Sequence, residues 1–177
     1  MLLNLRKWVK KRFKTLNREN VLKNQKFEIG QTSIRKKIEP PIRGGKLIFI
    51  DSSYFIALSS KKDQWHEKAV KLLDKIENEE NCIVIDGVIL ETIAKVGYLG
   101  GGKKANLMYN NIKDNYIIYN TNHLYDKAMV NHLKYDGTLS LVDTLIIEKM
   151  KEFQAKELIS FDSDFDKVSR IVRIIKG

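Results

Sequence analysis

The sequence predicts an α/β fold with a central parallel sheet of about five strands, preceded by a basic helical arm. Three observations carry this expectation. From Lys46 onward, short apolar runs alternate with helical patterns, the arrangement of βαβ units on a parallel sheet. Pro40, Pro41, Gly44 and Gly45 mark a linker, which places a boundary between an arm (residues 1–45) and a domain (residues 46–177). The charge divides at the same place: the arm holds thirteen Lys and Arg against three acids, the whole net charge of +10, and the remainder is neutral.

In the arm, MLLNLRKWVKKRFKTL spaces Leu2, Leu5, Val9, Phe13 and Leu16 as one face of a helix, with Lys7, Lys10, Lys11, Arg12 and Lys14 supplying basic character. A positive arm on a neutral domain suits a polyanion, either nucleic acid or an anionic membrane surface. Docking on another protomer through the apolar face is a further reading. In the domain, strands are expected at LIFI (47–50), CIVI (82–85), YIIY (116–119), ELISF (157–161) and RIVRII (170–175). Helices are expected over 53–58, from a cap at Asp63 through Ile76, and over 87–96, 103–112, 124–133 and 140–153.

The 177 residues, 43% of them hydrophobic, allow one sizeable core with an appendage. No apolar run is long enough to span a bilayer, and the N-terminus lacks the pattern of a secretory signal, so the expectation is a soluble cytoplasmic protein. Cys82, the single cysteine, can form neither an internal disulfide nor a Cys-rich zinc site.

Four acids stand at the ends of apolar segments or on apolar helices. Asp51 closes LIFID and is equally suited to cap the helix that follows. Glu91 lies in GVILETIA, either at a solvent-facing position or aimed into a cleft. Asp143 is the N3 residue of a capping box opened by Ser140, a placement that leaves its carboxylate available to a cation. Asp162 opens FDSDFDK, where it serves a turn or a site. Parallel strands gather their C-terminal ends on one edge, and two carboxylates about 4 Å apart there conflict by roughly 4 kcal/mol at an effective dielectric near 20. Protonation, a Lys or Arg partner, or a cation must resolve that conflict.

Other motifs fail on chemistry. GYLGGGK places Lys104 where a phosphate loop needs Ser or Thr and follows a helix instead of a strand, so it reads as a Gly-rich helix connection. His66, His123 and His132 show no metal-binding spacing and are expected in surface or capping roles. Asp51 is followed by Ser-Ser and not by the second Asp of an aspartyl-phosphate nucleophile motif.

Taken in order, FIDSSYFIAL, GVILETIAKV, SLVDTLII and SFDSDF resemble the motifs of PIN-domain ribonucleases, the family that includes VapC-type toxins of toxin–antitoxin modules. The resemblance covers Lys46 to Gly177 and implies a three-layer α/β/α sandwich. It further implies a Mg²⁺- or Mn²⁺-dependent endoribonuclease acting on RNA, with Asp51, Glu91, Asp143 and Asp162 as catalytic and metal-binding acids and Asp164 as an auxiliary. Ser160 stands where the family pattern has Thr, and Ser52 or Ser53 would hydrogen-bond the metal site, with Ser53 at the more often polar position. Ser140 supports Asp143. A cognate antitoxin and a homodimer are the partners this resemblance implies; a PIN-like RNA- or protein-binding module without catalysis is the alternative. The basic arm departs from the family's smaller members, and Lys7, Lys10, Lys11, Arg12 and Lys14 are its expected RNA contacts.

Overall fold

The computed structural model describes residues 45–77 and 81–175. The arm residues Lys7, Lys10, Lys11, Arg12 and Lys14 lie outside this range. Five strands, β1 (Ile48–Ile50), β2 (Cys82–Ile85), β3 (Ile117–Tyr119), β4 (Glu157–Ile159) and β5 (Val172–Ile174), form one sheet in the order β3-β2-β1-β4-β5. All four pairings are parallel, with Phe49 opposite Ile83 on one side and Leu158 on the other. The helices are α1 (Ser52–Ser59), α2 (His66–Glu77), α3 (Asp86–Asn115), α4 (Tyr125–Lys134) and α5 (Leu141–Glu152). Together they complete a three-layer α/β/α sandwich in which α1 packs on α2 and α3, and α4 packs on α5.

Burial follows strand position. Every residue of β1 and β2 is buried, as expected for inner parallel strands covered on both faces, whereas the edge strand β5 is partly exposed. The core centres on Ile48, Phe49, Ile50, Ile83, Val84, Leu158 and Ile159, joined by Tyr54 and Phe55 of α1 and Ile146 and Ile147 of α5.

The strand order creates the site. The chain runs outward from β1 through β2 to β3, then returns to place β4 on the opposite flank of β1. Strand order therefore reverses between β1 and β4, and in open α/β sheets the crevice beyond the strand ends at such a switch point is where ligands bind. Asp51 follows β1 there, and Ser160 to Asp162 follow β4.

Two glycines act on the long helix α3. Gly101, at φ 79° and ψ 166°, breaks its helical path, so the expected helices over 87–96 and 103–112 are two limbs joined at a glycine only that residue type tolerates well. Gly87, in its first turn, lies so close to α5 that an added Cβ would sit 3.2 Å from Cγ2 of Val142, the residue before Asp143. That approach sets α3, which carries Glu91, against the start of α5. Gly87→Val is expected to overpack this contact and lower stability by about 1–3 kcal/mol, read as a lower denaturant midpoint with an unchanged m-value; an unaltered midpoint would mean the two helix ends part without cost.

Candidate metal centre

Asp51 is almost fully buried at the N-cap of α1. Its Oδ1 accepts the Ser52 N–H at 2.6 Å, and its Oδ2 accepts the Ser53 N–H at 3.2 Å, the Ser53 hydroxyl at 2.6 Å and the Ser160 hydroxyl at 2.9 Å. Asp51 thus fills the capping role, and the donors fix the orientation of its carboxylate. The Ser53 hydroxyl also accepts the Phe161 N–H at 2.9 Å, stitching the end of β1 to the end of β4 across more than a hundred residues of sequence.

Ser140 caps α5 as the sequence leads one to expect. Its hydroxyl accepts the Asp143 N–H at 3.1 Å while its own N–H donates to Asp143 Oδ2 at 2.7 Å. This reciprocal pair leaves Asp143 buried and close enough to its neighbours to feel them. Burial and then the charge of Asp51 push the Asp143 carboxyl from its ordinary 3.8 up to about 7, with Glu91 adding to the rise and the bonds from Ser140 opposing it. Half-buried Glu91 is also raised, by burial first and more weakly by Asp51, against a lowering hydrogen bond from the Ser52 hydroxyl. Asp51, Glu91 and Asp143 are therefore one electrostatic group drawn from three elements, and the Ser52 hydroxyl, 3.4 Å from Asp51 Oδ1, lies between two of them.

Asp162 adjoins this group through Ser160, whose hydroxyl oxygen accepts the Asp162 N–H at 3.0 Å. Its carboxylate caps a short 3₁₀ turn (Ser163–Lys167) by accepting the Asp164 N–H at 2.8 Å. Asp164 points elsewhere: its carboxylate is 41% exposed and pairs with Lys167 at 2.6 Å. Its direct competitor for any cation is thus that lysine. Of the histidines, His66 Nδ1 lies 2.9 Å from the Ala57 carbonyl oxygen, His123 Nε2 3.0 Å from Glu152 and His132 Nδ1 2.8 Å from the Leu139 carbonyl oxygen, all tied to structural partners.

Sequence reasoning placed Ser160 only in a family pattern; its fully buried hydroxyl is a direct partner of Asp51. The available signal was a small polar residue ending an apolar strand immediately before the acid-rich turn.

Among the described residues, no group of three or more Asp, Glu, His or Cys side chains is arranged so that it could hold a metal ion as it stands. The donor chemistry nevertheless fits a hard cation. All the donors are oxygens, and magnesium characteristically takes one or two carboxylates and keeps several waters instead of entering a closed protein cage.

A family profile described as PIN domain matches residues 48–171. The chain belongs to the PIN domain family. Two solved structures share the PIN fold with it. VapC20 of Mycobacterium tuberculosis, a sarcin–ricin loop cleaving toxin, is 21% identical with a TM-score of 0.63, the match covering 72% of this chain and 98% of VapC20. PAE2754 of Pyrobaculum aerophilum is 15% identical with a TM-score of 0.51, covering 72% of this chain and 83% of PAE2754. No curated protein matches the chain significantly in sequence.

The raised Asp143 predicts how this PIN domain responds to pH without metal. The folded state holds a proton that the unfolded state releases near 3.8, so its stability falls as pH rises from about 4 through about 7. In EDTA, the wild-type chain should lose stability relative to Asp143→Asn across that interval, by at most roughly 4 kcal/mol. Parallel pH profiles for the two proteins in thermal unfolding would show instead that Asp143 ionises freely.

Proposed function

We propose that this PIN domain is a divalent-metal-dependent endoribonuclease that hydrolyses RNA phosphodiester bonds, and that it serves as the toxin of a toxin–antitoxin module. The observation that carries the reading is the convergence of Asp51, Glu91 and Asp143 at the switch point of the sheet, where burial and the neighbouring Asp51 charge raise the other two carboxyls. Carboxylates in that position repel a polyanionic substrate as well as one another, and a cation relieves both conflicts. Asp51 and Asp143 would hold the ion most directly, with Glu91 and Asp162 acting through water and Asp164 auxiliary. Magnesium or manganese, when bound, would polarise the scissile phosphate, lower the pKa of an attacking water and stabilise the leaving oxygen.

The chain's own residues would prepare that site. Ser53 and Ser160 orient Asp51, and Ser140 orients Asp143, so the acids need little rearrangement when RNA arrives. Asp143 must lose its proton to hold a cation, which makes binding weaker below about pH 7. The VapC20 fold match supports a cognate antitoxin and an RNA substrate, and a homodimer belongs to the same reading. The proposed boundary at residues 45 and 46 separates the catalytic domain from an arm whose Lys7, Lys10, Lys11, Arg12 and Lys14 add salt-dependent phosphate contacts. Among the described residues, no helix is long and apolar enough to cross a membrane; a cytoplasmic location belongs to the toxin reading.

The rival reading is a PIN domain that binds RNA or protein without cutting. Cleavage assays separate them. Purified protein should cut single-stranded RNA with magnesium or manganese and lose activity in EDTA. Asp51→Asn or Asp143→Asn should lower the rate roughly 100-fold or more, the scale of removing one preorganised electrostatic group, and Ser160→Ala about 10- to 100-fold. RNA binding with no cleavage and no calorimetric signal for either metal would establish the rival.

A further inference from the structure

The acidic edge continues into an open groove of about 570 Å³ lined by Ser52, Ile56, Glu91, Ala94, Lys95 and Tyr98. Residues 91, 94, 95 and 98 share one face of α3, so the groove begins at the acids and runs along a rigid helix. At its far end Tyr98 is 86% exposed, although aromatic residues usually bury most of their surface. Lys95, also exposed, is the cation among the lining residues and makes no ion pair with any described residue. Seven residues separate Glu91 from Tyr98, about 10 Å along a helix, or roughly three stacked nucleotides at about 3.4 Å each.

We propose that this groove is a nucleotide subsite for single-stranded RNA. Tyr98 stacks on a base, and Lys95 contacts a phosphate next to the one held at the acids. The proposal rests on the ribonuclease reading and gives it a substrate path. An aromatic platform beside a free ammonium is the pair through which single strands bind without regard to sequence, because every base has a π-face and every linkage a phosphate. Charge placement favours RNA over a protein occupant: a strand entering an acidic centre needs a positive contact on its approach, and Lys95 stands about one helical turn from Glu91.

The test uses the full chain carrying Asp51→Asn to prevent cleavage, a fluorescein-labelled single-stranded RNA oligomer, and anisotropy with magnesium at raised salt to weaken contacts from the arm. Adding Tyr98→Ala should weaken binding about 5- to 100-fold, and Tyr98→Phe should preserve it. An abasic oligomer should erase the difference between Tyr98→Ala and its parent. Lys95→Ala should reduce the salt slope by about one. Equal RNA affinity in the Tyr98→Ala and Tyr98→Phe proteins would overturn the subsite, as would a Tyr98→Ala effect confined to self-association or to binding of a partner protein. Cleavage by the otherwise wild-type chain tells the two readings apart. Active enzyme whose KM ignores Tyr98 removes only the subsite, whereas a chain that neither binds nor cuts RNA removes the proposed function as well.

Discussion

Three carboxylates that repel one another at the C-terminal edge of a parallel sheet are the constraint around which this fold is arranged. Each comes from a different part of the chain, and each is held by contacts that also build the fold. Asp51 caps α1, Asp143 closes the capping box of α5, and Glu91 follows the turn in which Gly87 lets α3 approach Val142. The backbone therefore cannot easily move one acid away from the others. Burial first, and then that repulsion, raises Asp143 and Glu91 in the folded state.

Hydroxyl groups make this arrangement tolerable. A carboxylate as deeply buried as Asp51 needs donors, and Ser53 and Ser160 supply them from opposite sides of the strand-order reversal. Ser53 does more, because the same oxygen accepts the Phe161 N–H and so fixes the spacing between the ends of β1 and β4. The ordering of the acids and the closing of the sheet edge are consequently one network. This economy explains why a short stretch, Asp51 to Ser53, carries so much of the site.

The sequence made the fold and the acidic positions legible because their signals are local. All five strands appear within two residues of their expected starts, and Ser140 and Asp143 form the expected cap. Features set by distant partners were harder to read. Ser160 touches Asp51 across 109 residues of separation, so periodicity gave no hint of it. The two limbs of α3 are joined at Gly101, whose φ of 79° a run of three glycines allows without showing which one turns. Lys149 is buried although lysine usually lies at the surface; its ammonium bonds Glu152 at 3.1 Å and lies over the rings of Tyr119 and Phe153, partners that sequence spacing alone does not assemble. Asp164 carried the same local signal as Asp162, yet Lys167 one turn on takes its carboxylate outward.

On the reading proposed above, the acidic group is a cation site and not merely a strained set of caps. Anomalous diffraction from crystals grown with manganese measures this most directly. A manganese peak is expected between the carboxylates of Asp51 and Asp143, lost in crystals of Asp51→Asn. A well-ordered wild-type structure with no peak at those carboxylates, or with one only at Asp164 and Lys167, would contradict it.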